Sequence, residues 1–408
     1  MKFFTNSAKS VARIGTLTNF ERIPTISFET PLALIYTKGG SVPHLTKDVF
    51  KMVTTDPQLL SVSLPSTLIM TEAMKEANIS FSNFVSMQEH INMLTIHDPA
   101  DLTPSGHQML DTIPVWPRSG RIQMSANKYM DLVETFKPDC YVALCDGDTN
   151  IDSSKKRSEN AVNRSKTLFE QCLSRHTASE SLKSTGILGA IEGGYNVDAR
   201  LASIDYLKDK PVLGYVIDGL HNNGPLVHSI TSEQIKQIVE QAVSLLPSEK
   251  LKVSMGCWNP PTVLDLIELG IDVFDTSYPY VAVKNAEALT FLCDHNTCGD
   301  VLEVISFRDI RYEEDFSPIC SHCECLTCKN HTRAYLYHLR NTREMLLDVL
   351  LMIHNIHHYL EFFKAIRENI KSGTFDELKQ KINLKFENFG ILESCKVVVA
   401  EELKSSNT

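Results

Sequence analysis

Val212–Ile217 (VLGYVI), Thr231–Leu246 (TSEQIKQIVEQAVSLL) and Lys252–Cys257 (KVSMGC) are the stretch from which the fold is read. The outer two are near-continuous apolar runs of strand length, the form taken by parallel strands covered on both faces. The middle one sets Ile235, Ile238, Val239, Ala242 and Leu246 on one helical stripe, with Thr231 and Gln234 spaced as a capping box. The same rhythm extends outward through Pro31–Thr37, Leu59–Leu64, Ile79–Met87, Cys140–Cys145, Gly186–Ile191 and Asp272–Asp275. Alternating strands and helices define an α/β fold with a parallel sheet. About eight strands favour a closed (β/α)8 TIM barrel over a doubly wound sheet.

Two stretches interrupt the rhythm. Asp98–Gly120, rich in Pro, Gly and Asp, is expected to be a long loop. Asp148–Asn160 is polar, with Lys155, Lys156 and Arg157 adjacent; a solvated loop is the expected role, and RNA phosphate contact the functional alternative. Beyond Asp315 the pattern becomes a cysteine cluster followed by a helix from Arg333 to about Ile370. The expected division is therefore a barrel over 1–315 and a C-terminal zinc-binding subdomain over 316–408, comprising the long helix and a barrel-closing segment.

Bulk properties narrow the function. The chain has 408 residues, 43% of them hydrophobic and 22% charged, and a formal net charge of −10. A chain that grips nucleic acid unaided usually carries the opposite sign, so any such role needs a local basic strip or a partner. Met1–Gly15 lacks the apolar stretch of a secretory signal; its Lys2, Lys9 and Arg13 faintly suggest a transit segment. No apolar run approaches the roughly 18 residues of a membrane span, MLLDVLLMI being broken by Asp348. The expectation is a soluble, cytoplasmic protein whose 11 cysteines are reduced.

Cys323, Cys325 and Cys328 put three thiols within six residues. A Cys-x-Cys-x2-Cys knuckle cannot turn every sulfur to one side of a regular helix. It must wrap around something, and in a reducing compartment that is usually Zn2+. Tetrahedral closure needs a fourth donor, for which His354 is the choice, with His331, His357 and His358 as alternatives; Cys320 or His322 could stand in for Cys323. Three thiolates and one imidazole leave no open position, so the ion would be structural, one per chain.

The run Cys323–Leu336, followed by Arg343–Leu346 and His354-Asn355, closely resembles the zinc subdomain of the tRNA-guanine transglycosylases, the queuine tRNA-ribosyltransferases. Ala12–Gly15, Thr30-Pro31, Ala190–Arg200, Leu213–Leu220, Ser254–Gly256 and Gly270–Asp275 agree in order, so the resemblance covers roughly residues 12–370. It makes His354 the fourth ligand and Ala12–Gly15 part of the domain rather than a transit segment. It also implies a TIM barrel whose active members exchange guanine for queuine at the tRNA wobble position. In those members one aspartate forms a covalent intermediate with the ribose, and a second acts as acid and base.

By that resemblance Asp275 stands at the nucleophile's position and Asp146 at that of a base-recognising aspartate. The family's Asp-Ser-Gly-Gly-Phe-Gln motif, which supplies the acid/base, is missing; its expected place is Asp111–Gly120. Glu192 replaces a glutamine, Asp218 the first of two paired glycines, and Pro279-Tyr280-Val281 a Pro-Thr-Arg sequence. Asp275 and Asp146 are therefore expected to be vestigial. The implied function is a non-catalytic subunit that pairs with a catalytic paralogue on tRNA, with a homodimer in its absence and association with the outer mitochondrial surface allowed by the family. An independently active base-exchange enzyme using Asp275, and a zinc-stabilised binding protein unrelated to queuine, are the alternatives.

Overall fold

The computed structural model describes residues 1–5, 12–293 and 304–387. They fall into two compact units. The first is Met1–Pro43, Asp56–Trp258 and Thr262–Ser277; the second takes His44–Thr55, Asn259–Pro261 and the chain from Tyr278.

The first unit is a closed, all-parallel barrel of eight strands. In chain order they are β1 (Leu32–Thr37), β2 (Leu59–Ser63), β3 (Ile91–Thr95), β4 (Cys140–Val142), β5 (Gly186–Ile191), β6 (Gly214–Ile217), β7 (Leu251–Ser254) and β8 (Val273–Asp275). Each pairs with its successor, and β8 returns to β1 through Val273 opposite Leu32. Every residue of these strands is buried, as two covered faces require. Helix α1 (Lys155–Ala178) follows β4, and α2 (Ser232–Leu245) follows β6 with Ile235, Ile238, Val239 and Ala242 buried. Gln234 Oε1 accepts the Thr231 N–H at 2.9 Å, one half of the expected capping box.

Three expectations need correction. Ile79–Met87 is not the third strand. Ser80 accepts the Asn83 N–H and starts a short helix, Phe81–Phe84, while β3 runs through Ile91–Thr95. Asp98–Gly120 is not wholly loop, because Thr112–Val115 pairs with Ile122–Ser125 as an antiparallel hairpin. The polar stretch Asp148–Asn160 is a loop only as far as Ser154, whose side chain accepts the Arg157 N–H and caps α1.

The barrel floor is held by arginines that lie between the strands of a small N-terminal sheet, in which Lys2–Thr5 pairs with Gly15–Thr18 and that strand with Phe28–Thr30. Arg13 makes a two-pronged ion pair with Asp272, whose Oδ2 also accepts the Lys252 N–H at 2.7 Å. Arg22 grips Asp139 in the same way, and Asp139 accepts the Asn92 N–H at 2.9 Å. Bidentate arginine–carboxylate geometry therefore ties the N-terminal ends of β8 and β4.

The second unit holds an antiparallel pair, β9 (Glu287–Leu289) and β10 (Val304–Ser306), and helices α3 (Leu326–Asn330), α4 (Arg333–Asn341), α5 (Leu346–Ser372) and α6 (Phe375–Glu387). The single long helix expected from Arg333 is thus two. Arg343 adopts a positive φ of 57° and the Glu344 N–H turns back to Leu339 O, which ends α4. Residues 388–408 of the expected barrel-closing segment lie outside the described residues. Among the described residues no helix is long and apolar enough to cross a membrane.

Candidate metal centre and barrel mouth

In the second unit the chain turns sharply through Cys323 and Cys325. Cys325 has extended dihedrals and caps α3, its Sγ accepting the Cys328 N–H at 3.4 Å. Thr327 Oγ1 donates to Leu350 O at 2.7 Å, which seats α3 on α5. That contact brings the fully buried His354 to the knuckle, with Nδ1 at 3.8, 3.5 and 3.3 Å from the sulfurs of Cys323, Cys325 and Cys328. The four donor atoms all lie within 4.8 Å of one another. For metal bonds of about 2.3 Å to sulfur and 2.0 Å to nitrogen, a tetrahedron has sulfur–nitrogen edges of about 3.5 Å, so the cluster could hold a metal ion. His354 Nε2 sits 2.8 Å from Leu289 O; donating there leaves the Nδ1 lone pair for the cation.

Three of the alternative donors make contacts elsewhere, whereas His357 lies beside the Cys323 thiol. His358 Nε2 accepts the Leu292 N–H at 3.2 Å, and His331 stacks on Tyr335 at 5.3 Å between ring centroids. Cys320 is disulfide-bonded to Cys293, with Cα atoms 6.3 Å apart, so the expectation of reduced thiols does not hold for that pair.

In the first unit the C-terminal strand ends carry a ring of carboxylates. Asp275 ends β8, is 2% exposed, and accepts backbone N–H groups from both Gly256 and Ser277. Burial raises its pKa to about 6, opposed by those hydrogen bonds and reinforced by the charge of Asp98. Asp98 follows β3 and is itself buried. It accepts the Tyr36 hydroxyl at 2.7 Å and the Ala100 N–H at 3.0 Å, and burial raises its pKa, with Asp101 adding to the shift. Sequence reasoning missed Asp98, because misplacing the third strand moved the search for an acid to Asp111–Gly120. Instead, Trp116 and Arg118 from that segment line a cavity of about 480 Å³ together with Lys38, Ser66, His97 and Asp98.

Asp146, just beyond β4, is 1% exposed and fully engaged. Arg157 spans its two oxygens at 3.0 and 2.6 Å, and Arg164, two turns further along α1, donates to Oδ2. No carboxylate edge is left to read a base. Of the adjacent basic residues expected in a solvated loop and found at the start of α1, Lys155 pairs with Asp198 at 3.2 Å and Arg157 is spent on Asp146.

Glu192, just past β5, is fully buried; its N–H donates to Ser203 Oγ at 3.1 Å, but its carboxylate oxygens meet no nitrogen or oxygen donor, only the Cys145 thiol. Burial pushes its pKa well up, with the charges of Asp218 and Asp146 adding to the effect. Asp218 fills space that a glycine would leave open. A Cβ at Gly147 would come 2.6 Å from Asp218 Oδ2, and the Cys145 thiol lies 3.7 Å from the same oxygen. The neighbouring turn depends on glycine, since Gly193 has φ +125° and a Cβ there would meet Arg200 N at 2.5 Å.

A family model described as queuine tRNA-ribosyltransferase matches residues 7–388. The chain is similar to proteins named queuine tRNA-ribosyltransferase accessory subunit 2. It is 42% identical to that of Culex quinquefasciatus over 391 residues, covering 94% of this chain and 91% of the relative. It is 40% identical to that of Anopheles gambiae over 388 residues (94% and 90%) and 41% to that of Drosophila melanogaster over 394 residues (94% and 92%).

Proposed function

The chain belongs to the queuine tRNA-ribosyltransferase family, and from that premise we propose that it is the non-catalytic subunit of a heterodimeric transglycosylase. Its catalytic partner exchanges guanine for queuine at the wobble position of tRNAs with G-U-N anticodons. The observation that carries this reading is the state of Asp146, whose two oxygens are consumed by Arg157 and Arg164 where a base-recognising carboxylate needs a free edge.

The second unit supplies the docking face in this reading. Cys323, Cys325, Cys328 and His354 hold one structural Zn2+, which staples the knuckle to α5 and offers no open coordination position. Around the knuckle in the chain, Ile310, Phe316, Met345 and Leu346 are 70, 75, 83 and 42% exposed, an apolar set suited to a protein partner. A paralogue can occupy the second position of a pseudo-twofold dimer because twofold interfaces are self-complementary. The expected compartment is the cytoplasm; the family allows peripheral association at the outer mitochondrial surface, and fractionation of cells distinguishes the two.

The test is an exchange assay on an unmodified G-U-N tRNA with the chain alone, the partner alone and the mixture. The mixture is expected to be active, to stay active with Asp275→Asn in this chain, and to lose activity when the partner's own nucleophile is replaced. Robust exchange by the lone chain would overturn the assignment.

A further inference from the structure

The mouth of the barrel contains three groups whose placement the accessory role does not explain. Cys145 Sγ, a Glu192 carboxylate oxygen and an Asp218 carboxylate oxygen lie within 4.8 Å of one another. Cys145 is buried beyond β4, Glu192 lies just past β5 and Asp218 just past β6, so adjacent strands hold all three. Glu192 is the telling residue. It is fully buried, and its oxygens meet no nitrogen or oxygen donor, only the thiol of Cys145 within the same cluster. An unsatisfied buried carboxylate is expensive, and natural proteins keep one where a proton or a cation meets it.

We propose that Cys145, Glu192 and Asp218 form a cation site that takes Zn2+ or a divalent ion of similar softness. This goes beyond the accessory-subunit reading and does not depend on it. One thiolate with two carboxylates is a borderline donor set, which suits zinc better than magnesium or calcium. The 3.7 Å between Cys145 Sγ and Asp218 Oδ2 is close to the sulfur–oxygen edge of about 3.5 Å in a tetrahedral zinc site.

Charge balance supports the same reading. Arg200 is 2% exposed, and its guanidinium donates only to main-chain oxygens, those of Gly194, Ile191 and Asp218. Its charge acts on Glu192 and Asp218 without bonding either carboxylate. A thiolate and two carboxylates set against a dication and one guanidinium sum to zero. Binding therefore expels the thiol proton and any proton on Glu192 to solvent, and affinity rises with pH. Asp218 is only half-buried, so the ion has a way in, and three protein ligands leave a fourth position for water.

Metal stoichiometry of the full chain decides the matter. After equilibration with Zn2+ and gel filtration, native mass spectrometry of the wild type should show two zinc ions per chain. Glu192→Gln and Cys145→Ser should each reduce the count to one, whereas Cys325→Ser should remove the other ion. Glu192→Gln preserves side-chain shape, and circular dichroism verifies that the two mouth variants fold. Loading with Co2+ reads the site separately: the wild-type spectrum should lose one thiolate-to-cobalt charge-transfer contribution in Cys145→Ser. One zinc per wild-type chain, or a second zinc indifferent to both mouth substitutions, overturns the proposal and leaves the three groups sharing protons.

Discussion

The knuckle of the second unit and the mouth of the barrel are both clusters of buried ionisable groups, yet they are resolved in opposite ways. At the knuckle every group faces inward on one point, and the one ring nitrogen not facing it rests on Leu289 O. At the mouth three carboxylates, unlike Glu192 and Asp218, are disposed of singly: Asp146 by two arginines, Asp275 by two backbone N–H groups, and Asp98 by Tyr36 and Ala100. The first arrangement needs all its members together to work. The second is what remains when a site's residues persist but each has found a local partner. A barrel can drift in this way without unfolding, because its strand ends tolerate exchange as long as buried charges stay satisfied.

The contrast can be broken most decisively at the knuckle. Cys325→Ser should eject the metal and unfold the unit around it, because structural zinc contributes roughly 10–16 kcal/mol in small zinc domains. Native mass spectrometry and a thermal melt followed by circular dichroism check this, and an unchanged melt with no loss of metal relative to the wild type would remove the ligand assignment. At the mouth, Asp146→Ala should cost about 3–5 kcal/mol by stranding Arg157 and Arg164, as urea denaturation would show; a cost below about 1 kcal/mol would mean that the clamp is loose.

A finer test uses pH. Asp275 is held at about 6 in the folded chain against an ordinary 3.8, so the folded state binds its proton more tightly than the unfolded one. Its contribution is therefore complete below the ordinary value and is lost as pH rises from 3.8 to about 6, by about 2–3 kcal/mol. Asp275→Asn should flatten the stability profile across that interval, and an unchanged slope would show that Asp275 is not the group responsible. The smallest effect is expected outside both clusters. Lys155→Ala removes an exposed ion pair with Asp198 and should change stability by less than about 0.5 kcal/mol in the same urea measurement.

How legible each region was in the sequence follows from the range of its interactions. The knuckle is a local pattern, so Cys323, Cys325 and Cys328 could be read from spacing alone. His354 could not, because several histidines stand nearby and only the docking of α3 on α5 selects one. Among the strands, Gly186–Ile191 is an unbroken apolar run and was read to the residue. Ile91–Thr95 carries Asn92, whose side chain donates to Ser82 Oγ, and that polar interruption let the β-rich Ile79–Met87 take its place. The clamp on Asp146 left a usable trace that went unread. Arg157 and Arg164 are seven residues apart, which puts them on one face of a helix two turns long. Reading Asp148–Asn160 as loop hid that face. Asp98 was lost with the third strand, since a residue's place at a barrel mouth is defined only once its strand is known.

His354 has a neighbour whose role extends what the knuckle does. Asn355 Oδ1 accepts the Leu289 N–H at 2.9 Å, and its Nδ2 donates to Glu287 O at 2.9 Å. Consecutive residues of α5 thus join the cluster that could hold an ion and supply β9 with the partners that a strand neighbour would otherwise provide. A helix turned by one residue about its axis would forfeit coordination and strand docking in the same movement. An ion at the knuckle would therefore act as a registration pin, admitting only the rotation of α5 at which the adjoining strand is also correctly seated.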